Sequence, residues 1–185
     1  MNGGPVQNGP SWTGAPPGVP VLYFEDLEEG HEQWGGETVV DRDEMLAYAR
    51  EFDPWPFHVD EALAKESVFG DLVASGGYTI GLWFKLGHQL LNDFGEVWAL
   101  MGGIEWQLRF VRGVKAGTRL RFMRRVTGKR PSSKPGRGVI FLHSEIVDQA
   151  TGDPVLTLEE VVLIARREDN HISSLSRISG RGAVL

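Results

Sequence analysis

The chain has 185 residues, a length that fits one domain of ordinary size with additional tails. Apolar residues make up 41% of it, and the absence of cysteine excludes disulfides, thiolate metal sites and cysteine nucleophiles. The net charge of −6 argues against nonspecific binding to nucleic acid. No stretch approaches the roughly 20 apolar residues of a membrane span, and the N-terminus lacks the pattern of a secretory signal, so we expect a cytoplasmic protein without a membrane partner.

Both ends of the chain have the composition of tails. Residues 1–20 are rich in Gly and Pro and have little to bury, and residues 169–185 carry Ser, Gly and Arg with weak periodicity. We therefore predict a disordered N-terminal tail over 1–20, a single domain over 21–168 and a C-terminal tail over 169–185.

The first predicted helix of the domain is followed by a stiff connector. Asp41 can cap this helix, and Glu44 follows three residues later, as in a capping box. The helix is expected to end near Phe52, because Pro54 disfavours helical backbone in the residue before it. Two prolines stiffen residues 53–58, which are predicted to be extended.

Further along the chain, a short helical turn is predicted over 60–66 and a longer helix from Ser75 to about Leu91. Apolar residues occur on most faces of the longer helix, so it is expected to be largely buried, and Gly95 lies where its end is expected. The period then changes to two, which predicts strands. The predicted strands are 32–40, 97–109, 119–126, 139–147 and 155–165, with turns at Gly113, Gly117, Gly128 and Gly152.

The connections between these strands decide how the strands pair. Short glycine turns cannot join parallel strands, which need long crossovers, so the pairing must be antiparallel. Because the helices come early and the strands late, the fold class is α+β, with an antiparallel sheet wrapped on one buried helix.

Asp53 and His58 are the residues that we expect to carry chemistry. Both lie in a segment stiffened by Pro54 and Pro56, and catalytic groups must be held in place. A carboxyl and an imidazole together offer an acid and a base that can exchange one proton. The alternative is that Asp53 ends a helix and His58 lies in a surface turn, since such pairs occur by chance in most proteins.

A longer pattern surrounds this pair. The stretch Phe52-Asp-Pro-Trp-Pro-Phe-His-Val-Asp60, followed by Phe69-Gly70 and Ala74-Ser-Gly76, resembles the signature of the MaoC-like dehydratases, which are related to the (R)-specific enoyl-CoA hydratases. Residues 103–110 and 117–120 resemble a strand pair of that family, and the basic loop 132–138 resembles another of its features. The resemblance covers roughly residues 23–166.

The resemblance implies a hotdog fold, in which a curved antiparallel sheet wraps around one long central helix, and a homodimer with sites at the subunit interface. The implied reaction is the reversible addition of water to a trans-2-enoyl thioester, with an acyl-CoA as substrate. Asp53 and His58 would hold one water, either of them acting as the base, and the N–H of Gly76 would stabilise charge on the thioester oxygen. Phe84 matches a position where the bacterial hydratases carry a small hydroxyl residue, so it is expected to reshape the acyl pocket.

One stretch of the chain is strongly basic. Eleven basic and no acidic residues lie in 109–137, whereas residues 25–61 hold thirteen of the 25 acids. This distribution indicates contact with an anion, and CoA carries a 3′-phosphate and a pyrophosphate. The alternative is a solvated basic hairpin. The candidates for binding the CoA phosphates are Arg125, Lys129, Arg130, Lys134 and Arg137.

Other kinds of site find little support in the sequence. The histidines lack metal-ligand spacing, so we expect no metal and no cofactor apart from the coenzyme A of the substrate. The basic stretch lacks interleaved aromatic residues, which argues against a nucleic-acid partner. Two alternatives to the lyase function remain: a hotdog acyl-CoA thioesterase and a non-catalytic acyl-thioester-binding module. The fold alone does not distinguish these functions.

Overall fold

The structure is a computed structural model that describes residues 18–167. Most of the predicted N-terminal tail, 1–20, and all of the predicted C-terminal tail, 169–185, lie outside the described residues. The described part contains seven strands and four helices: β1 Val21–Leu22, β2 Glu32–Val39, α1 Arg42–Phe52, α2 Pro56–Val59, α3 Glu61–Glu66, α4 Gly76–Phe94, β3 Val97–Trp98, β4 Leu100–Phe110, β5 Arg119–Pro131, β6 Arg137–Asp148 and β7 Pro154–Ala165.

Five of the strands form one sheet. Its order is β2-β5-β6-β7-β4, and every neighbouring pair is antiparallel, as the short glycine turns predict. The strands β2 and β4 lie at the two edges. The short strands β1 and β3 pair in parallel as a separate ribbon, which the long chain segment between them permits.

The long helix α4 packs against this sheet. Leu82, Leu86 and Leu90 recur every four residues on one stripe of the helix and are buried against sheet residues that include Phe122 and Ile146. The predicted α+β class, with one long helix against an antiparallel sheet, is therefore confirmed. Within residues 18–167, no helix is both long enough and apolar enough to cross a membrane.

The helix α4 is less buried than its composition predicts. Only one side of it faces the sheet, and Phe84 on another side is 44% exposed. The prediction of burial on most faces is wrong for the single chain, because the sheet covers one side of the helix and leaves side chains on its other sides exposed. An apolar surface of the helix is left for other contacts.

Two predicted boundaries are also wrong. Gly128 lies inside β5 at a register shift between Val126 and Gly128, so the strand bulges there and continues to Pro131 instead of turning. The predicted strand 97–109 is divided into β3 and β4, and these two strands join different sheets.

The connector after α1 is only partly extended. Pro56 occupies the first turn of α2, a position where its fixed φ suits a helix and its missing N–H costs nothing. Residues 56–59 are therefore helical, which corrects the prediction of an extended segment throughout 53–58. The Asp41 carboxylate caps α1 as predicted, by accepting hydrogen bonds from the N–H groups of Asp43 and Glu44.

Candidate active site

Asp53 stands at the end of α1. Its backbone N–H donates to the carbonyl of Ala49, and its φ of −154° turns the chain away from the helix, as the following proline requires. The side chain of Asp53 is 34% exposed. The backbone at the end of α1 therefore positions the Asp53 carboxylate, and part of this side chain remains open to solvent.

His58 lies in α2 and is buried. Its Nδ1 is 2.7 Å from the carbonyl oxygen of Val73, and its Nε2 is 3.6 Å from Oδ2 of Asp53. Because a carbonyl only accepts, Nδ1 must carry the proton in this bond. The neutral ring therefore keeps its lone pair on Nε2, the nitrogen that faces Asp53.

The distance between the two groups suits a shared water. At 3.6 Å, Nε2 of His58 and Oδ2 of Asp53 are beyond ordinary hydrogen-bond range. A water to one side of the line between them can bond to both at normal lengths. The pair can accept one proton from that water and donate another nearby. The structure thus brings together the two residues that the sequence singled out.

The same segment leads from His58 to the start of α4. The N–H of Val73 donates to the carbonyl of Phe57 at 3.3 Å, and the N–H of Ala74 donates to the carbonyl of Val114 at 2.7 Å. With the bond from His58 to the Val73 carbonyl, these bonds fix the chain just before Gly76. The imidazole and the helix start are consequently held by one short piece of backbone.

The N-terminus of α4 presents backbone donors. Ser75 caps the helix, and its Oγ accepts from the N–H of Tyr78. The N–H groups of Gly76 and Gly77 precede the first intrahelical bond, so helix geometry gives them no partner within the helix. Together with the helix dipole, they make a place where developing negative charge is stabilised.

Close packing explains why glycine occupies both positions. A Cβ added at Gly76 would lie 2.8 Å from Cζ of Phe110, and one added at Gly77 would lie 2.5 Å from the hydroxyl of Tyr48. Real Cβ atoms do not come so close to other atoms, so a larger residue would move these rings. Glycine at both positions therefore leaves room for the Phe110 and Tyr48 rings at the start of α4.

An aromatic cluster surrounds His58. The Phe57 ring meets the His58 ring edge-on at 4.4 Å between centroids, and it also contacts Trp55 and Phe69. The Trp55 side chain is 61% exposed, an unusual exposure for so large an apolar surface. The sequence analysis did not assign these aromatic residues to the site, although Trp55 and Phe57 alternate with the two prolines of the connector.

Phe84 lies about two turns along α4 from Gly76, a distance of about 12 Å along the helix axis. Its ring contacts Trp83 and the Trp106 ring of β4, at centroid distances of 4.9 and 5.4 Å. It therefore lies on the seam between α4 and β4. Its expected effect on an acyl pocket stays a prediction.

Two of the predicted phosphate-binding residues are engaged elsewhere. The ammonium of Lys129 donates to the carbonyls of Phe24 and Leu27 and to the carboxylate of Glu28, which uses all three of its protons. Arg125 forms an ion pair with Glu32 across strands β5 and β2. These two cations hold strands and the N-terminal segment together.

The other three basic candidates lie far from the acid–base pair. Gly76 packs against Phe110 of β4. Phe110 pairs with Leu156 of β7, and Leu156 pairs in turn with Ile146 of β6. Arg137 is nine residues before Ile146 on the same strand, which separates them by about 30 Å. Arg130 and Lys134 lie at this same far end, on β5 and in the following turn. Within one chain, the structure does not bring Arg130, Lys134 and Arg137 to the mouth of the site, contrary to the sequence-based expectation.

Neither the acid–base pair nor the glycines form a metal site. Within the described part of the chain, no group of three or more His, Cys, Asp or Glu side chains is arranged to hold a metal ion. The donors that converge here are one imidazole, one carboxylate and the N–H groups of a helix start, a set suited to proton transfer and to stabilising an oxyanion.

The model of the family described as the MaoC like domain matches residues 29–143. The chain belongs to the MaoC-like domain family.

Solved structures agree with this assignment. A MaoC-like dehydratase from Rhodospirillum rubrum is 30% identical, with a TM-score of 0.70 over 80% of this chain and 99% of that one. An (R)-hydratase from A. caviae involved in PHA biosynthesis is 24% identical, with a TM-score of 0.57 over 75% of this chain and 97% of that one. The protein Rv0216 of Mycobacterium tuberculosis has a double hotdog fold, and this chain matches 45% of it with 80% of its own length, 21% identity and a TM-score of 0.62. The hotdog fold is thereby confirmed.

A curated relative matches a smaller part. The uncharacterized protein YdeM of Bacillus subtilis is 43% identical over 47 residues, which make up 25% of this chain and 33% of that protein. The match therefore spans about a third of the relative's length.

This MaoC-like domain also contains a buried polar group that the sequence analysis missed. Glu160 of β7 is 6% exposed, and Ser144 Oγ donates to its carboxyl at 3.1 Å. The indole N–H of Trp83 in turn donates to Ser144 Oγ at 2.9 Å, which connects α4 to the sheet. Burial raises the pKa of Glu160 to about 7, although the Ser144 hydroxyl and the charge of Arg124 oppose the rise. In the sequence, the signal for its burial is the period of two, which places Glu160 on the same face of β7 as Leu158 and Val162.

Proposed function

We propose that this protein is a hydro-lyase that reversibly adds water to the double bond of a trans-2-enoyl thioester of coenzyme A. Membership in the MaoC-like family and the likeness to an (R)-hydratase support hydratase or dehydratase chemistry on acyl thioesters in general. The observation that carries the finer proposal is the approach of His58 Nε2 to Asp53 Oδ2 at 3.6 Å.

The acid–base pair acts through one water. The water bonds to both Asp53 and His58, one of which starts with a proton on the atom that faces the water, either Nε2 of His58 or the carboxyl of Asp53. The unprotonated group takes a proton from the water as it attacks the β carbon, and the protonated group delivers its proton to the α carbon. Transfer of the captured proton from the first group to the second then restores the starting state. The bond from Nδ1 to Val73 keeps Nε2 aimed at the water throughout.

The helix start supplies the electrostatic part. As the water attacks, charge develops on the thioester oxygen, as in an enolate. The N–H of Gly76 at the first turn of α4 donates to this oxygen, and the absence of a side chain lets the thioester approach. Phe110, which already lies against Gly76, forms an apolar wall there.

The working form is a homodimer joined through the edge strand β4. Within residues 18–167, this 11-residue strand pairs only with β7, and its other edge is open. Its apolar side chains are about half exposed, as are those of neighbouring residues on the same surface. The exposed apolar side chains are Leu100, Met101, Ile104, Trp106 and Phe110 of β4, with Val111 and Phe84 beside them. A long apolar edge left open would aggregate unless another strand covered it.

One assay distinguishes the proposed reaction from its alternatives. The purified protein is mixed with crotonyl-CoA, and loss of the enoyl absorbance and release of free thiol are followed in parallel. We expect absorbance loss without thiol release. Thiol release would indicate a thioesterase, and neither signal together with tight CoA binding would indicate a non-catalytic module. The cytoplasmic location expected from the sequence stays a prediction.

A further inference from the structure

We propose that the Tyr48 hydroxyl is a second hydrogen-bond donor to the thioester oxygen of the substrate, beside the N–H of Gly76. This inference rests on the proposed function, since it adds a catalytic residue to the same reaction. Tyr48 belongs to α1, the helix that ends at the site before Asp53, and its ring reaches the start of α4.

The Tyr48 hydroxyl lies against the second glycine of α4. A Cβ added at Gly77 would lie 2.5 Å from the hydroxyl oxygen and 3.1 Å from Cζ of the same ring. Because a Cα–Cβ bond is about 1.5 Å long, the hydroxyl oxygen lies within about 4 Å of the Cα of Gly77. A substrate oxygen that accepts from the N–H groups at this helix start therefore comes close enough to accept from Tyr48 as well.

Aromatic contacts from both helices hold the Tyr48 ring. The ring packs on Phe52, one turn later in α1, with 4.9 Å between centroids, and on Tyr78 of α4, with 5.9 Å between centroids. The direction of the hydroxyl is thus set before a substrate arrives, and little side-chain freedom is lost when it binds. Donors that are already in place stabilise developing charge most, because they need no reorganisation during the reaction.

The Tyr48 hydroxyl is available to a ligand. It has no hydrogen-bond partner within residues 18–167, Tyr48 is only partly buried, and the hydroxyl oxygen is not sealed from solvent. The neighbouring Tyr78 differs, since its hydroxyl donates to the carboxylate of Glu44 at 3.3 Å. The Tyr48 proton can therefore go to an acceptor on the substrate, whereas the Tyr78 proton is used within the fold.

The immediate surroundings of the two glycines are otherwise apolar. Among the described atoms nearest to a Cβ added at Gly76 or Gly77, the Tyr48 oxygen is the one polar atom, and the others are ring carbons of Phe110 and Tyr48. A hydrogen bond to a developing negative charge is stronger between apolar walls than in water. A backbone N–H and a phenol hydroxyl that converge on one oxygen form a two-donor oxyanion site.

The first experiment removes only the hydroxyl. Tyr48→Phe keeps the ring and is assayed with crotonyl-CoA. We expect kcat to fall about 10-fold to 10²-fold and KM to stay within about twofold, because the bond strengthens as charge develops on the thioester oxygen. The matched control is Tyr78→Phe, which removes the hydroxyl that bonds to Glu44 and should change kcat by less than about twofold. Thermal denaturation of both variants checks that the fold is intact.

The second experiment measures the hydrogen bond on a bound ligand. Butyryl-CoA has the same thioester but no double bond, so it binds without being hydrated. It is labelled with ¹³C at the thioester carbonyl, and the carbonyl stretching frequency is measured by infrared difference spectroscopy. We expect a higher frequency on Tyr48→Phe than on the wild type, because loss of a donor leaves the carbonyl less polarised. Tyr78→Phe should match the wild type, and a purely structural role of Tyr48 would leave the frequency unchanged.

The outcomes separate this inference from the proposed function. Hydration by Tyr48→Phe at the wild-type rate, or an equal carbonyl frequency on Tyr48→Phe and the wild type, would overturn the inference and leave the proposed function intact. Absence of hydration by the wild-type protein would instead refute the proposed function. In that case the carbonyl frequency of bound butyryl-CoA still decides whether Tyr48 donates to the thioester oxygen.

Discussion

The hydrogen bond between His58 and Val73 has the largest consequence of any single contact in the site. It fixes which nitrogen carries the proton, and it ties the ring to the backbone that precedes α4. A histidine in a surface turn would have neither constraint. The buried position of His58 at 7% exposure therefore argues against the surface-turn alternative that the sequence left open.

Substitutions of the acid–base pair test its role directly. We expect Asp53→Asn and His58→Ala each to slow crotonyl-CoA hydration by about 10²-fold or more, because each removes one proton acceptor or donor from the shared water. The rates are measured together with thermal denaturation. The matched control is Asp60→Asn, since an asparagine can still cap α3 and should leave the rate unchanged. Nearly normal rates in either site variant, with the fold intact, would refute the mechanism.

The strand β2 and the helix α4 approach each other very closely at a bulge in β2. Gly36 has a φ of +61°, and a Cβ at this position would lie 2.2 Å from the carbonyl oxygen of Leu86 in α4. Its N–H donates to the carboxylate of Asp93, near the end of the same helix. The bulge therefore sets how near the sheet comes to the helix, and only glycine fits there.

Alanine at this bulge is expected to be strongly destabilising. Gly36→Ala should lower the free energy of unfolding by more than about 3 kcal/mol, because left-handed strain is added to a clash with backbone that cannot move aside. Gly30→Ala is the matched control: its φ of +86° adds the strain, but nothing lies within 4 Å of the added Cβ. It should cost roughly 1–2 kcal/mol. If urea denaturation shows that the two variants lose equal free energy of unfolding, the clash with the Leu86 carbonyl of α4 adds nothing to the cost at Gly36.

The chain of hydrogen bonds from Trp83 through Ser144 to Glu160 joins α4 to the middle of the sheet. Burial raises the pKa of Glu160 to about 7, so the folded protein holds this proton more tightly than the unfolded chain. The contribution to stability is full below about pH 4.5 and is lost as the pH rises through about 7. The ionised form costs roughly 3 kcal/mol relative to an unshifted carboxyl.

Glu160→Gln should remove this dependence on pH. The amide oxygen can still accept from Ser144, while the group no longer ionises. We expect the variant to lose less stability than the wild type between pH 5 and 8, as measured by urea denaturation at each pH. Glu51→Gln, which changes an exposed carboxyl of α1 outside this chain of hydrogen bonds, serves as the control. If wild type and Glu160→Gln have parallel curves of stability against pH, the carboxyl of Glu160 stays ionised throughout.

At the scale of the whole molecule, the long apolar edge of β4 matters most for assembly, since no strand of residues 18–167 covers it. The edge is long and apolar, it borders Phe84 of α4, and it has the site at one end and the basic residues toward the other. In the proposed homodimer, β4 of a second copy covers this edge.

A charge on this edge should separate the protomers. We expect Ile104→Lys, at a side chain that is 56% exposed, to give a monomer by light scattering, because a desolvated lysine opposes strand pairing. Val39→Lys is the control on the opposite edge strand, where the side chain is 50% exposed. It should leave the mass unchanged. If Ile104→Lys is a dimer and Val39→Lys is a monomer, the interface lies at β2 and not at β4.

Much of the local structure could be predicted from short stretches of the sequence. The cap at Asp41, the helix end before Pro54 and the alternation in the later strands each depend on a few neighbouring residues, and the structure contains all three. The proximity of Asp53 and His58 could also be predicted from the sequence. The two residues lie five positions apart on a segment stiffened by prolines, whose geometry is largely local.

Only the tertiary structure decided which distant residues meet. The sequence did not show how far Arg130 lies from Asp53 and His58, because β5 continues through a bulge at Gly128, where a turn was expected, and carries Arg130 to the far end of the sheet. The hydrogen bonds from Trp83 to Ser144 and from Ser144 to the buried Glu160 likewise depend on how α4 packs against the sheet. Local preference determines helices, turns and a short motif, whereas burial and long-range distance depend on how all the strands pair.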